Sequence, residues 1–253
     1  MNSETVDVET PDGIADAYLS RPDGGEPPRA GVLLLMDAYG LRETIEQMAD
    51  RIAARGYVVL APNLFYRAGP APLFEMPDLS DPDARGAFFG KLRPLMDELT
   101  PERIAADGEA YLALLEAETA GPIVLAGYCM GVRVGWRIAT AFPERVAALG
   151  GFHGGGLVTD APDSPHLSAS QLGSEVYLGF AENDQSMPAE AIAELERALD
   201  EAGVQYRSEI YEGAAHGYTM ADTPVYDAGA DERHYEELFA LLERAGAVGQ
   251  GAG

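Results

Sequence analysis

The chain has 253 residues, of which 47% are hydrophobic, as expected for one large globular domain or two small ones. Its 42 acidic and 17 basic side chains give a net charge of −25, which disfavours nucleic acid or an anionic membrane as a partner. The one cysteine, Cys129, excludes an internal disulfide and favours a reducing compartment. No apolar run is long enough to cross a bilayer, and the first seven residues do not resemble a signal peptide. We therefore expect a cytoplasmic protein.

The acidic excess has two interpretations that the sequence leaves open. It could reflect a high-salt cytoplasm, in which screening relieves the repulsion between carboxylates. It could equally be a solvated acidic surface with no special role.

A β-hairpin is the first predicted element, with strands at 5–8 and 14–18 around the turn residues Pro11, Asp12 and Gly13. Strands and helices then alternate. The predicted strands are 31–35, 57–60, 123–126, 147–149, 176–180 and 205–211. Apolar residues at helical spacing predict helices around 45–52, after 100, after 129, around 192–199 and around 235–242.

The alternation of strands and helices predicts an α/β protein with a mostly parallel central sheet, helices on both faces and the hairpin at one edge. We expect one domain over 1–253. Residues 62–99 contain six prolines and are expected to form a lid or an excursion over the sheet. The small residues at 246–253 predict a flexible tail.

The most informative motif is G-Y-C-M-G at 127–131, between a predicted strand and a predicted helix. A nucleophile flanked by glycines two places on either side, in this setting, is the signature of a nucleophile elbow. Cys129 holds the nucleophile position at a helix N-terminus, where the amide dipoles favour a thiolate. The alternative interpretation is a small buried structural cysteine.

Two other reactive side chains also follow predicted strands. Asp184 comes after the strand at 176–180, and His216 comes after the strand at 205–211. The carboxyl ends of parallel strands share one edge of a sheet, where sites of α/β proteins lie. The order cysteine, aspartate, histidine is that of an α/β-hydrolase triad. The predicted oxyanion donors are the N–H groups of Met130 and Ala38.

At this point the chain resembles the dienelactone hydrolase family over nearly its whole length. The residues that carry the resemblance are 36–40 (M-D-A-Y-G), 56–57, 62–67 (P-N-L-F-Y-R), 127–131, Asp184 and 216–218 (H-G-Y). Such enzymes are cofactor-free hydrolases of lactones or esters. The resemblance implies Cys129 as nucleophile, with Asp184 and His216 completing the triad.

The resemblance also implies further roles at two positions. Asp37 occupies the place of an acidic residue near the resting thiol, where true dienelactone hydrolases have Glu. Members that act on dienelactone bind its carboxylate partly through an Arg four residues after the catalytic His, but this chain has Met220 there. Arg85 and Arg93, in the expected lid, are the candidates for a replacement cation.

The remaining expectations concern the pocket. Tyr39, Tyr128, His153 and Tyr218 are candidates for its lining. The chain has no H-E-x-x-H motif and no Cys/His cluster, so neither a metal nor a cofactor is expected. The expected function is hydrolysis of a small lactone or carboxylic ester through an acyl-thioester. The alternatives are a broad-specificity thiol esterase and a non-catalytic binding module on the same fold; the oligomeric state stays open.

Overall fold

The computed structural model describes residues 2–250, and side chains over 2–247. Within that range eight strands form one sheet, in the order β1-β2-β4-β3-β5-β6-β7-β8. Their bounds are β1 (Asn2–Thr10), β2 (Gly13–Arg21), β3 (Gly31–Leu35), β4 (Val58–Pro62), β5 (Ile123–Tyr128), β6 (Ala148–Phe152), β7 (Glu175–Asn183) and β8 (Tyr206–Ala215). The pairs β1-β2 and β2-β4 are antiparallel and the others are parallel. The predicted α/β-hydrolase fold, with its antiparallel N-terminal hairpin, is confirmed.

Helices cover both faces of the sheet. Their bounds are α1 (Glu43–Ala53), α2 (Pro82–Asp97), α3 (Pro101–Glu118), α4 (Met130–Ala141), α5 (Ala189–Ala202) and α6 (Ala228–Gln250). Successive residues of a strand point to opposite faces. On β6 a Cβ at Gly150 would meet Leu241 of α6, whereas one at Gly151 would meet Val132 of α4. α4 and α6 therefore lie on opposite sides. Because helices cover both faces, β3 is buried along its whole length, and its sequence is a continuous apolar run.

The stretch 62–99, expected as a lid or an excursion over the sheet, contains the helix α2. Pro82 occupies the first helical position, where its missing N–H is no loss, and Asp81 caps the helix by accepting a hydrogen bond from the Asp83 N–H at 2.9 Å. Phe88 and Leu92 are buried in a small cluster separate from the main core. Whether the stretch opens and closes as a lid stays a prediction.

Two other boundaries differ from the expectation. β6 continues through Gly150 and Gly151, although glycine is a poor strand former, because only glycine leaves space for Val132 and Leu241 there. α6 continues to Gln250, so residues 246–250 are helical and not the flexible tail that was expected. The rest of that tail, 251–253, lies outside the described residues. No helix within 2–250 combines the length and apolarity that crossing a membrane requires.

Candidate active site

Cys129 lies at the sharp turn between β5 and α4. Its φ of 53° is in the left-handed region, which costs a residue with a side chain about 1 to 3 kcal/mol. The turn is possible only with glycine on both sides. A Cβ at Gly127 would lie 2.6 Å from the Gly131 carbonyl oxygen, and one at Gly131 would lie 2.2 Å from the Leu35 carbonyl oxygen. The backbone therefore has the geometry that the elbow motif predicts.

The side chains of Cys129, His216 and Asp184 form a continuous series of contacts. His216 Nε2 lies 3.0 Å from Cys129 Sγ, and His216 Nδ1 lies 2.7 Å from Asp184 Oδ2. Ser186 holds the carboxylate from its other side, because its N–H and hydroxyl both donate to Asp184 Oδ1, at 2.8 and 2.6 Å. These distances allow a proton to move between sulfur and imidazole while the carboxylate orients the ring.

The electrostatics of this series favour an imidazolium. Burial alone would disfavour the charged ring, but the hydrogen bonds with Asp184 and Cys129 outweigh it and raise the pKa of His216 to about 10. Burial likewise opposes the Asp184 carboxylate, yet the hydrogen bonds from His216 and Ser186 keep the pKa of Asp184 below its ordinary value. At neutral pH the pair is therefore a charged aspartate beside a charged histidine.

These side chains open into a cavity of about 430 Å³. Apart from Cys129, His216 and Asp184, the described lining of the cavity is mostly apolar. Its apolar residues come from the loop after β3, from α2 and α4, and from the loop after β8. It includes Ala38, Tyr39, Phe89, Met96, Met130, Met220 and Val225. A concave, largely apolar site with a few convergent polar groups is typical of a small-molecule pocket.

Met130 and Ala38, whose N–H groups are the expected oxyanion donors, line the cavity. Met130 is the first residue of α4 and Ala38 follows β3, and both line the cavity with Cys129. Among the turn, loop and cap hydrogen bonds of the backbone within 2–250, neither N–H is a donor. Unpaired N–H groups at a helix start are suited to binding negative charge.

The comparisons with known proteins identify the family and agree with the fold. The model of the dienelactone hydrolase family matches residues 15–246. The chain belongs to the dienelactone hydrolase family. It is therefore a hydrolase, as expected.

Curated relatives cover most of the chain at low identity. A relative from Escherichia coli K12, provisionally named carboxymethylenebutenolidase, is 24% identical over 238 residues, which are 91% of this chain and 82% of the relative. A relative from Synechocystis sp. with the same provisional name is 27% identical over 235 residues, covering 89% of this chain and 90% of the relative.

Solved structures share the fold. A provisionally named dienelactone hydrolase from Klebsiella pneumoniae superposes with a TM-score of 0.80 at 19% identity, covering 96% of this chain and 98% of that one. A dienelactone hydrolase-like promiscuous phosphotriesterase from metagenomic libraries gives 0.74 at 22% identity with the same coverage.

Asp37, the residue that the family resemblance brings near the thiol, is instead bound to an arginine. Its carboxylate accepts two hydrogen bonds from the Arg42 guanidinium, at 2.7 and 3.0 Å, and one from the Tyr39 N–H at 3.0 Å. Arg42 also donates to Asp222. Asp37 lines the cavity. Its carboxylate, however, forms hydrogen bonds within the loop after β3 and none to the sulfur of Cys129.

Arg42 is a residue that the sequence reasoning missed. One of its guanidinium nitrogens lies 3.6 Å from Met220 Sδ, so a cation does reach the position where some family members have Arg. Two carboxylates neutralise it, however, and it does not appear in the described lining of the cavity. No motif in the sequence indicates this contact, because 178 residues separate the partners.

Among the four expected lining residues, Tyr39 and His153 lie at the cavity, whereas Tyr128 and Tyr218 do not appear in its described lining. The hydroxyl of Tyr128 lies 3.1 Å from His234 Nε2 inside the core, and the Tyr218 hydroxyl donates to the Gly179 carbonyl at 3.1 Å. Both rings are fully buried by aromatic neighbours. The expectation for these two tyrosines is therefore corrected.

The expectation that Arg85 or Arg93 supplies a pocket cation is also corrected. Both side chains are exposed on α2 and lie outside the described lining. The arginine in the described lining of the cavity is Arg133, half-buried on α4 four residues after Cys129. In the part of the chain that the structure describes, Arg133 makes no ion pair and no side-chain hydrogen bond.

The described residues contain no cluster of side chains that could bind a metal ion. Among the histidine, cysteine and acidic side chains between positions 2 and 247, no group of three is placed to hold an ion.

Proposed function

We propose that this protein hydrolyses a carboxylic ester or a lactone through an acyl-thioester on Cys129. His216 acts as the proton carrier, and Asp184 orients it. The observation that carries the proposal is the series of short contacts from sulfur to imidazole to carboxylate beside an apolar cavity.

In the acylation half, His216 Nε2 already holds the proton of the Cys129 thiol, and the sulfur attacks the carbonyl carbon as a thiolate. The resulting oxyanion accepts hydrogen bonds from the N–H groups of Met130 and Ala38. When the intermediate collapses, the carbon–oxygen bond of the ester breaks. The leaving alkoxide takes the proton from His216 and departs as an alcohol, or stays attached in the case of a lactone.

In the deacylation half, a water molecule gives a proton to His216 Nε2, and its oxygen attacks the thioester carbon. The carbon–sulfur bond then breaks, and the sulfur leaves as a thiolate beside the protonated His216, which restores the starting state. The net reaction consumes one water and produces one carboxylic acid and one alcohol. Asp184 keeps Nδ1 protonated throughout, so that Nε2 always faces the sulfur.

The lining of the cavity supports a small substrate with an apolar body. Met130, Met220 and Phe89 offer apolar surface, while Arg133 offers a guanidinium without a protein partner. We therefore propose that Arg133, rather than Arg85 or Arg93, binds an anionic group where the substrate carries one.

The organisation that we propose is one catalytic domain with α2 as a cover over the pocket. Phe89 and Met96 of α2 both line the cavity, so a shift of this helix would change its size. The single cysteine supports a cytoplasmic location.

The direct test replaces Cys129 with Ala and measures turnover of p-nitrophenyl acetate. We expect the rate to fall by about a thousandfold or more, because nucleophile removal leaves only binding and oxyanion stabilisation. Thermal unfolding should stay close to that of the wild type. Undiminished turnover in a folded Cys129→Ala variant would contradict the proposal.

A further inference from the structure

A second histidine lies beside the proposed base without a role in the steps above. His153 follows β6 and is completely buried, yet it lines the cavity. Its φ is 41°. Between residues 2 and 250, only Cys129 and His153 combine a side chain with a backbone in the left-handed region. Strained residues of this kind persist where the surrounding structure holds them, and they concentrate at functional sites.

Its hydrogen bonds connect the end of β6 to the loop that carries His216. The His153 N–H donates to the Gly179 carbonyl at 2.8 Å, which fixes the backbone. Its Nε2 lies 2.7 Å from Thr219 Oγ1, and Thr219 is three residues after His216. The Thr219 side chain is buried, and His153 is its hydroxyl's partner. A change at either residue would therefore free the loop beside the base.

The His153 ring also packs directly on the base. Its centroid lies 5.4 Å from that of His216, at an interplanar angle of 66°. The other rings that face it are Tyr218, at 5.0 Å, and Tyr128, at 6.1 Å. Burial, followed by the charge of His216, holds the pKa of His153 well below its ordinary value. The ring stays neutral, so His216 can become an imidazolium without a like charge against it.

Stability alone does not account for a histidine here. His153 Nδ1 is buried without a hydrogen-bond partner in the described residues, and an orphaned polar atom destabilises a folded protein. An apolar side chain would fill the same space without that cost. The feature that histidine adds is the Nε2 contact to Thr219.

We propose that His153 is a positioning residue for His216: it holds the loop of the base through Thr219, and it packs a neutral ring against the base. This inference rests on the proposed role of His216 as the proton carrier. It assigns no contact between His153 and the substrate.

The test uses two matched pairs of variants. Thr219→Val removes the hydroxyl at nearly constant volume, and Thr219→Ser keeps it. His153→Leu removes the nitrogen that faces Thr219, and His153→Gln places an amide nitrogen near it. Two readouts are followed from pH 5 to 10: turnover of p-nitrophenyl acetate, and the rate at which iodoacetamide alkylates Cys129. Because Cys129 is the chain's only cysteine, the alkylation rate reports on that residue alone.

We expect Thr219→Val and His153→Leu to lower kcat about tenfold or more with little change in KM, since a base displaced by about 1 Å can cost up to about a hundredfold. The alkylation rate at neutral pH should fall with kcat, and its pH midpoint should move. For Thr219→Ser and His153→Gln, kcat and the alkylation rate should stay within about threefold of the wild-type values. The double variant should be no slower than the slower single variant, because both remove one contact.

Unchanged kcat and an unchanged alkylation profile in folded Thr219→Val would overturn the inference, even if His153→Leu fails to fold. A fall in kcat without any change in the alkylation profile would also overturn it. If the wild type hydrolyses no ester but its alkylation depends on His153 and Thr219 as described, the proposed function fails and the positioning role stands.

Discussion

At the scale of single residues, the proposed chemistry depends on which charges are already paired inside the protein. Asp37 and Arg42 neutralise each other, whereas Arg133 lines the same cavity without a partner in the described residues. An unpaired guanidinium is the group best able to discriminate between anionic and neutral substrates.

Substrate selectivity tests the role of Arg133. We expect Arg133→Gln to raise KM about tenfold for an ester that carries a free carboxylate, such as a monoester of a dicarboxylic acid, because a charge-assisted hydrogen bond is lost. The KM for a neutral ester of similar size should not change. Arg85→Gln is the matched control and should affect neither substrate, since Arg85 is exposed outside the lining. An equal effect on both esters would contradict the assignment.

The contact between His216 and Asp184 also predicts a pH dependence of stability. The pKa of His216 rises from 6.5 to about 10 on folding. The stabilisation from the protonated ring is therefore fully present below about pH 6.5 and is lost as the pH rises through about 10. The difference in free energy of unfolding between the wild type and Asp184→Asn should shrink from pH 7 to pH 10. Urea titrations at each pH measure these free energies of unfolding. The exposed Asp97→Asn variant is the control, and its difference from the wild type should not change with pH. A difference for Asp184→Asn that is the same at pH 7 and pH 10 would contradict the account.

At the scale of elements, the turn between β5 and α4 is the part of the fold with the least tolerance. A Cβ at Gly131 would meet backbone atoms of Leu35 and Met36, which cannot move without disturbing β3. By contrast, Gly90 lies within α2 with open space around its missing Cβ.

Two glycine substitutions should therefore have opposite effects. Gly131→Ala is expected to lower the unfolding temperature and the turnover together, because the elbow must distort to admit the methyl group. Gly90→Ala should stabilise the protein by up to about 1 kcal/mol, the helix preference of alanine over glycine. Thermal unfolding of both variants measures the contrast. A folded, fully active Gly131→Ala variant would show that the elbow is less tightly packed than these distances indicate.

The elements differ in how far the sequence predicts them. β3 is predicted to the residue, and α3 is marked by Thr100 and Pro101, because cap and proline signals are local. α2 is not among the predicted helices, because the six prolines of 62–99 hide it, although Pro82 stands at the first helical position, where a helix accepts proline. The rule that sites lie at the carboxyl ends of parallel strands predicts Cys129, Asp184 and His216 at one edge of the sheet, and their side chains are in contact in the structure.

The contacts that the sequence did not predict join residues distant in the chain. Arg42 binds Asp222 across 180 positions, and His153 binds Thr219 across 66. Neither pair leaves a periodic or motif-like signal. Only the assembled sheet brings these side chains together.

At the scale of the whole molecule, the net charge of −25 is the property that sets the response to solvent. A charge of this size destabilises the compact state through self-repulsion, and dissolved salt screens that repulsion. Most of the described arginines already pair with carboxylates, so the remaining acidic excess has few internal partners.

The unfolding temperature should therefore rise between 0.1 and about 1 M KCl, where the screening length falls from about 10 to about 3 Å. Sucrose at matched osmolarity controls for the general effect of solutes on burial. A flat or falling unfolding temperature would remove adaptation to high salt as an explanation of the acidic surface.

The measurement that tests the central claim most directly is the mass of the intact protein quenched in acid just after it meets p-nitrophenyl butyrate. We predict an added butyryl group on Cys129 that hydroxylamine removes, a burst of nitrophenol equal to the enzyme concentration, and neither signal in Cys129→Ala. Full turnover with no acylated species at any quench time, or an acyl group on another residue, would contradict the account.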